Sequence, residues 1–166
     1  ESRYHNNKIT TYKYNHQIKM LNIQNMRELI KKYISLQKVI ILFIITNTIY
    51  TIMLTITIPK VMALSGSMKL LDMMPTGYNY QYVNLLLNNL GENGRYAYLY
   101  NQIPFDMFYP MFFGITYCLL LSYILIKLQK FESYLFYLCF IPLFSGLFDY
   151  LENIGIIIML NTYPNN

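Results

Sequence analysis

The sequence predicts an all-α integral membrane protein, a bundle of three transmembrane helices with a helical, Tyr-rich outer cap. Three observations predict it. Only 13% of the 166 residues are charged and 55% are hydrophobic, against roughly 25% charged in an average soluble domain. Apolar runs at 39–58, 105–128 and 133–153 each approach the ~20 residues needed to cross a hydrocarbon core. The net charge of +5 is also unevenly placed. Residues 1–38 hold Arg3, Lys8, Lys13, Lys19, Arg27, Lys31, Lys32 and Lys38 against Glu1 and Glu28, whereas 60–106 balance and the tail from Asp149 is acidic. Basic charge therefore flanks the first span, as the positive-inside tendency places it, with the amino terminus inside. No nucleic-acid recognition motif accompanies that charge, so nucleic acid is not expected as a partner.

The elements follow in order. Residues 1–25 are polar, without hydrophobic periodicity, and read as a disordered leader or non-native extension. The chain opens on Glu1 rather than Met, and Met20 and Met26 are candidate starts. Residues 26–38 place Leu29, Ile30, Tyr33 and Ile34 against Lys31 and Lys32, the pattern of an amphipathic helix on the inner membrane surface. Transmembrane 1 is 39–58, bounded by Lys38 and Pro59-Lys60. Its β-branched residues are poor helix formers, but backbone groups in lipid must bond within their own segment. Thr46, Asn47, Thr48, Thr51, Thr55 and Thr57 give it a polar stripe suited to helix–helix hydrogen bonding. The run is longer than a signal-peptide core and lacks a cleavage site before Pro59.

The outer cap, 59–104, carries short helices. Val83, Leu86, Leu87 and Leu90 recur at helical spacing and Gly91 can end that helix. The alternation of Tyr78, Tyr80 and Tyr82, and of Tyr96, Tyr98 and Tyr100, leaves a short hairpin open as an alternative. Transmembrane 2 is 105–128, with Pro110 in its first turns. Transmembrane 3 is 133–153, kinked at Pro142 beside Ser145-Gly146. The apolar tail 154–166 is too short to cross again and either prolongs the third helix or dips into the outer leaflet. Cys118 and Cys139 fall inside apolar segments and read as small hydrophobes.

Leu90-Gly91-x-x-Gly94-Arg95, then Asp106-x-x-x-Pro110, then Pro142 with Asp149-x-x-Glu152-Asn153 resemble a group of small polytopic bacterial membrane proteins. The resemblance covers roughly residues 40–163. It implies a fourth span beyond this carboxyl terminus, and residence in a bacterial plasma membrane, with an organelle inner membrane as the alternative. It carries no activity.

The candidate site is an outer polar cluster of Lys60, Arg95, Asp106, Asp149, Glu152 and Asn153. Asp149, Glu152 and Asn153 stand at i, i+3 and i+4 and share a helical face. Buried carboxylates need partners, and Arg95 and Lys60 are the expected counter-charges. Three readings compete: a structural clasp between cap and bundle, a site for a cation, lipid headgroup or partner subunit, and acid–base or metal chemistry. The sequence holds no Gly-x-Ser-x-Gly, P-loop or dinucleotide fingerprint, and His5 and His16 both lie in the leader. No catalytic residue, metal or cofactor is therefore expected. The bilayer is the expected partner, with other membrane subunits or a homo-oligomer beside it. The reading is a non-enzymatic lipid- or partner-binding membrane protein; the alternative is a membrane-embedded enzyme or ion-binding or transport subunit using the carboxylates.

Overall fold

Four helices account for the chain in the structure, a computed structural model that describes residues 2–164. The side chains of residues 2–11 and 16, His5 and His16 among them, lie outside the described residues. Helix α1 is Ser2–Tyr33, α2 is Leu36–Leu64, α3 is Tyr80–Lys127 and α4 is Tyr134–Thr162. The last three are long and apolar enough to cross a membrane, and no strand occurs among the described residues. The protein is an all-α membrane bundle. The Ile103–Lys127 part of α3 packs along both α2 and α4.

The dipeptide Ile-Pro occurs three times, and each time the helix departs from α geometry just before it. A π turn at Met53–Thr57 precedes Ile58-Pro59. A second, Tyr98–Gln102, precedes Ile103-Pro104. A 3-10 stretch, Tyr134–Phe140, precedes Ile141-Pro142. Proline lacks an N–H and its ring strikes the carbonyl four residues back, so an α-helix cannot run into it unchanged. The chain instead re-registers in the preceding turn and resumes α-helix with proline in its first turn, where the missing donor costs nothing. Pro142 thus marks a joint between two helix types.

Gly91, at φ 58° and ψ −170°, bends α3. A left-handed φ of this kind suits glycine alone. The arm before it returns against the end of α2. Leu70 and Leu71 of the connecting loop are fully buried beneath it, among Val61, Leu86, Leu87 and Ile156. Burying each leucine contributes roughly 1.5–3 kcal/mol. This is the cap end of the bundle.

At the opposite end, α1 docks by Ile23, Met26 and Ile30, one helical face, on Phe131, Phe136, Cys118 and Cys139. Arg27 stacks over the Phe136 ring at 4.7 Å and donates to the Glu132 and Ser133 carbonyls at 3.0 and 3.1 Å. The leader expected to be irregular is helical from Ser2 and continuous with the amphipathic segment. Docking of its last turns supplies an anchor that local composition does not reveal. The apolar tail prolongs α4 to Thr162.

Candidate binding site

Four carboxylic acids converge at the cap end. Asp106 comes from α3, Asp149 and Glu152 from one face of α4, and Asp72 from the 3-10 turn Leu71–Met73 of the loop. With Asn153 they line a cavity of about 340 Å³. Its remaining wall is Tyr50, Met53, Leu54 and Ile58 of α2 with Met73 and Tyr109. The exposed members of that lining are Tyr50 and Leu54 on one side and Glu152 on the other, and they mark its mouth.

Close contact between α3 and α4 brings the acids together. A Cβ on Gly146 would lie 2.7 Å from the Pro110 carbonyl oxygen, so only glycine permits this approach. Pro110 has a second effect. It has no N–H to give the Asp106 carbonyl four residues back, leaving a buried acceptor short of its helical donor. Asn153, 2% exposed, fills the vacancy: its Nδ2 donates to Asp106 O at 2.9 Å. The motifs Asp106-x-x-x-Pro110 and Glu152-Asn153 are therefore two halves of one contact.

Asp72 is held by uncharged donors. Tyr98 Oη donates to its Oδ1 at 2.7 Å, and Gln102 Nε2 approaches Oδ2 at 3.4 Å. Thr57 donates in turn to Gln102 Oε1, and the Leu71 N–H donates to Tyr98 Oη at 3.2 Å. Thr57, Tyr98 and Gln102 all stand in the two π turns, a feature often found at functional sites. Burial pushes the Asp72 carboxyl up from the usual range, while the bonds from Tyr98 and Gln102 pull it back. The Asp72 and Asp106 carboxyls line the same cavity. Burial likewise raises the neighbouring Tyr78 phenol, helped by the nearby charges of Glu152 and Asp72.

The structure brings Asp106, Asp149, Glu152 and Asn153 together and leaves Arg95 and Lys60 apart from them. Arg95 donates to the Leu87 carbonyl at 3.0 Å and lies over the Tyr163 ring at 5.1 Å. There it caps the last turn of the helical arm that Gly91 interrupts, where carbonyls lack helical partners. Lys60 is exposed on α2, and neither cation lines the cavity. Among the described residues, the ion pairs are those of Arg27 and Lys31 with Glu132 and of Lys31 with Glu28, all at the α1 end.

Asp72, Tyr98, Gln102 and Thr57 are the members of the site that sequence reasoning missed. The signal that could have found two of them is the repeated Ile-Pro, two of whose three copies are directly preceded by a polar residue, Thr57 and Gln102. Among the described residues no three His, Cys, Asp or Glu side chains are placed to hold a metal ion. Chemically, the cavity offers several carboxyl oxygens and two stacked tyrosine rings, Tyr50 and Tyr109, with centroids 5.3 Å apart. No known protein family matches the chain, and neither a curated protein nor a solved structure is similar to it.

Proposed function

We propose that this is a non-enzymatic membrane component that binds an amine-bearing lipid headgroup in the cap-end cavity. One observation carries the reading: four carboxyl groups line a single cavity to which, among the described residues, no Lys or Arg contributes. Like charges gathered in one cavity repel one another unless a counter-charge enters. An entering ammonium supplies one. The faces of Tyr50 and Tyr109 suit an organic cation, and a mouth flanked by exposed Tyr50 and Leu54 suits an amphiphile arriving from the bilayer. The lack of a metal-holding group among the described residues favours an ammonium over a bare metal ion. With the basic α1 end on the cytoplasmic side, the cavity faces outward, in a bacterial plasma membrane or its organelle counterpart.

The test is native mass spectrometry and thermal unfolding in detergent with added phosphatidylethanolamine or phosphatidylglycerol. Phosphatidylethanolamine should bind one to one and raise the melting temperature. The double variant Asp149→Asn/Glu152→Gln should lose that response with its helix content intact. An equal response to phosphatidylglycerol, or an undiminished one in the double variant, would sink the reading. The gathering of Asp72 and Asp106 in one cavity favours a second reading, a proton-linked ion site or acid–base centre. Proton release or uptake on adding an inorganic cation, lost in Asp72→Asn, would support it.

A further inference from the structure

We propose that the face of α2 turned away from the bundle is a homodimer interface, closed by reciprocal hydrogen bonds between the Asn47 amides of two copies. Helix α2 meets its own bundle through Val39, Thr46 and Met53, spaced seven apart and buried, and Thr46 shares a hydrogen bond of 2.8 Å with Thr116 of α3. Its far side is not purely apolar. Thr48, Thr51 and Thr55 are exposed there, and Asn47 is half-buried at its edge.

The three threonines are internally satisfied. Their hydroxyls donate to the carbonyls of Ile44, Asn47 and Thr51 at 2.8, 2.8 and 2.7 Å. Asn47 cannot be satisfied in this way. Its Nδ2 donates to the Phe43 carbonyl at 2.7 Å, which leaves a second N–H and the side-chain oxygen over. Asn47 is eight residues beyond Val39, about 12 Å into the apolar run at 1.5 Å per residue. Water is absent at that depth and lipid tails accept no hydrogen bond.

The leftover groups specify the occupant. One free donor and one free acceptor on a single amide are self-complementary, so two copies related by a two-fold axis satisfy each other in a pair of bonds. The surroundings allow the approach. A shallow groove of about 370 Å³ runs along this face, lined by Phe43, Ile44, Asn47, Thr48, Thr51 and Ile52. Thr51 and Thr55 continue the Asn47 ridge at four-residue spacing with the small side chains that membrane helix contacts favour.

The experiment is sedimentation equilibrium of the full chain in density-matched detergent, with oxidative cross-linking of Thr51→Cys in lipid bilayers as a second measurement. The wild type should be dimeric, and Thr51→Cys should give a covalent dimer that the wild type does not. Asn47→Leu should weaken dimerisation about tenfold or more with unchanged helix content, since leucine is at home against lipid. Asn47→Gln should keep the dimer, having the same donors and acceptors. A monomer at every concentration overturns the proposal. So does a dimer indifferent to Asn47→Leu, or a stoichiometric complex with a different chain through this face.

Discussion

At the α1 end, Glu28 and Glu132 each meet a cation, in pairs formed by Arg27 and Lys31. At the cap end, Asp72, Asp106, Asp149 and Glu152 share one cavity, while Arg95 and Lys60 lie elsewhere. The first arrangement is a surface clasp: Glu132 is 56% exposed, and pairs of that kind contribute little, roughly 0–1 kcal/mol. The second uses neutral donors, Tyr98 and Gln102 on the Asp72 carboxyl and Asn153 on the backbone carbonyl of Asp106. Cation pairing would have neutralised the cavity permanently. Positioning by amides and a phenol leaves its charge available to whatever enters.

The contrast can be broken most forcefully at Gly146. Its valine variant, forced against the Pro110 carbonyl, should lose about 3 kcal/mol in thermal unfolding followed by circular dichroism. Gly155→Val, with nothing within 4 Å of its Cβ, should leave the transition nearly in place. Next is Asn153→Leu, which strands the Asp106 carbonyl and should cost about 1–3 kcal/mol. Pro110→Ala in the same chain restores the helical donor and should return part of the loss. Additive losses in the double variant would show that proline and asparagine are not partners. Tyr98→Phe, removing the phenol that holds Asp72, should cost about 1 kcal/mol. Glu132→Gln at the α1 end should stay below about 1 kcal/mol.

The two ends should also answer pH in opposite senses. Burial raises the Asp72 carboxyl, so the folded chain keeps that proton to higher pH than the unfolded chain does. Stability from this group falls as pH climbs from about 4 and is recovered on acidification. The hydrogen bond from Lys31 lowers Glu132, so its contribution is complete above about pH 4.3 and disappears as pH falls through the folded value. Lys31 is raised by the same bond, and that share persists until strongly alkaline pH. Hydrogen exchange read separately for α1 and for residues 65–79 checks this. Relative to the intrinsic exchange rate at each pH, mild acid should raise protection in the loop and leave that of α1 unchanged, and only stronger acid should lower protection in α1.

The spans were legible because apolar runs of bilayer length admit few alternatives. The shared face of Asp149, Glu152 and Asn153 was legible too, since the i, i+3, i+4 relation needs only an unbroken helix. Asp72 was hidden in a loop without periodicity, and its partners Tyr98 and Gln102 stand in a π turn, where the 3.6-residue repeat fails. The pairing of Arg95 and Lys60 with the acids rested on charge balance, which says nothing of where a long side chain points. Arg95 serves the carbonyl of Leu87 instead. The helical leader was missed because α1 is ordered by Arg27 and its apolar neighbours docking on distant residues.

The two π turns also decide how the cavity answers a change in chain length. Each holds one residue more than an α turn, so removing one residue from 53–57 or 98–102 lets the local ladder relax to α geometry with the helix beyond it kept in register. The same deletion in the regular helix of Ile103–Lys127 would turn all beyond it by about 100° and move it about 1.5 Å along the axis. The π turns are thus the places where these helices absorb a lost residue, at the expense of the wide turn that carries Thr57, Tyr98 and Gln102.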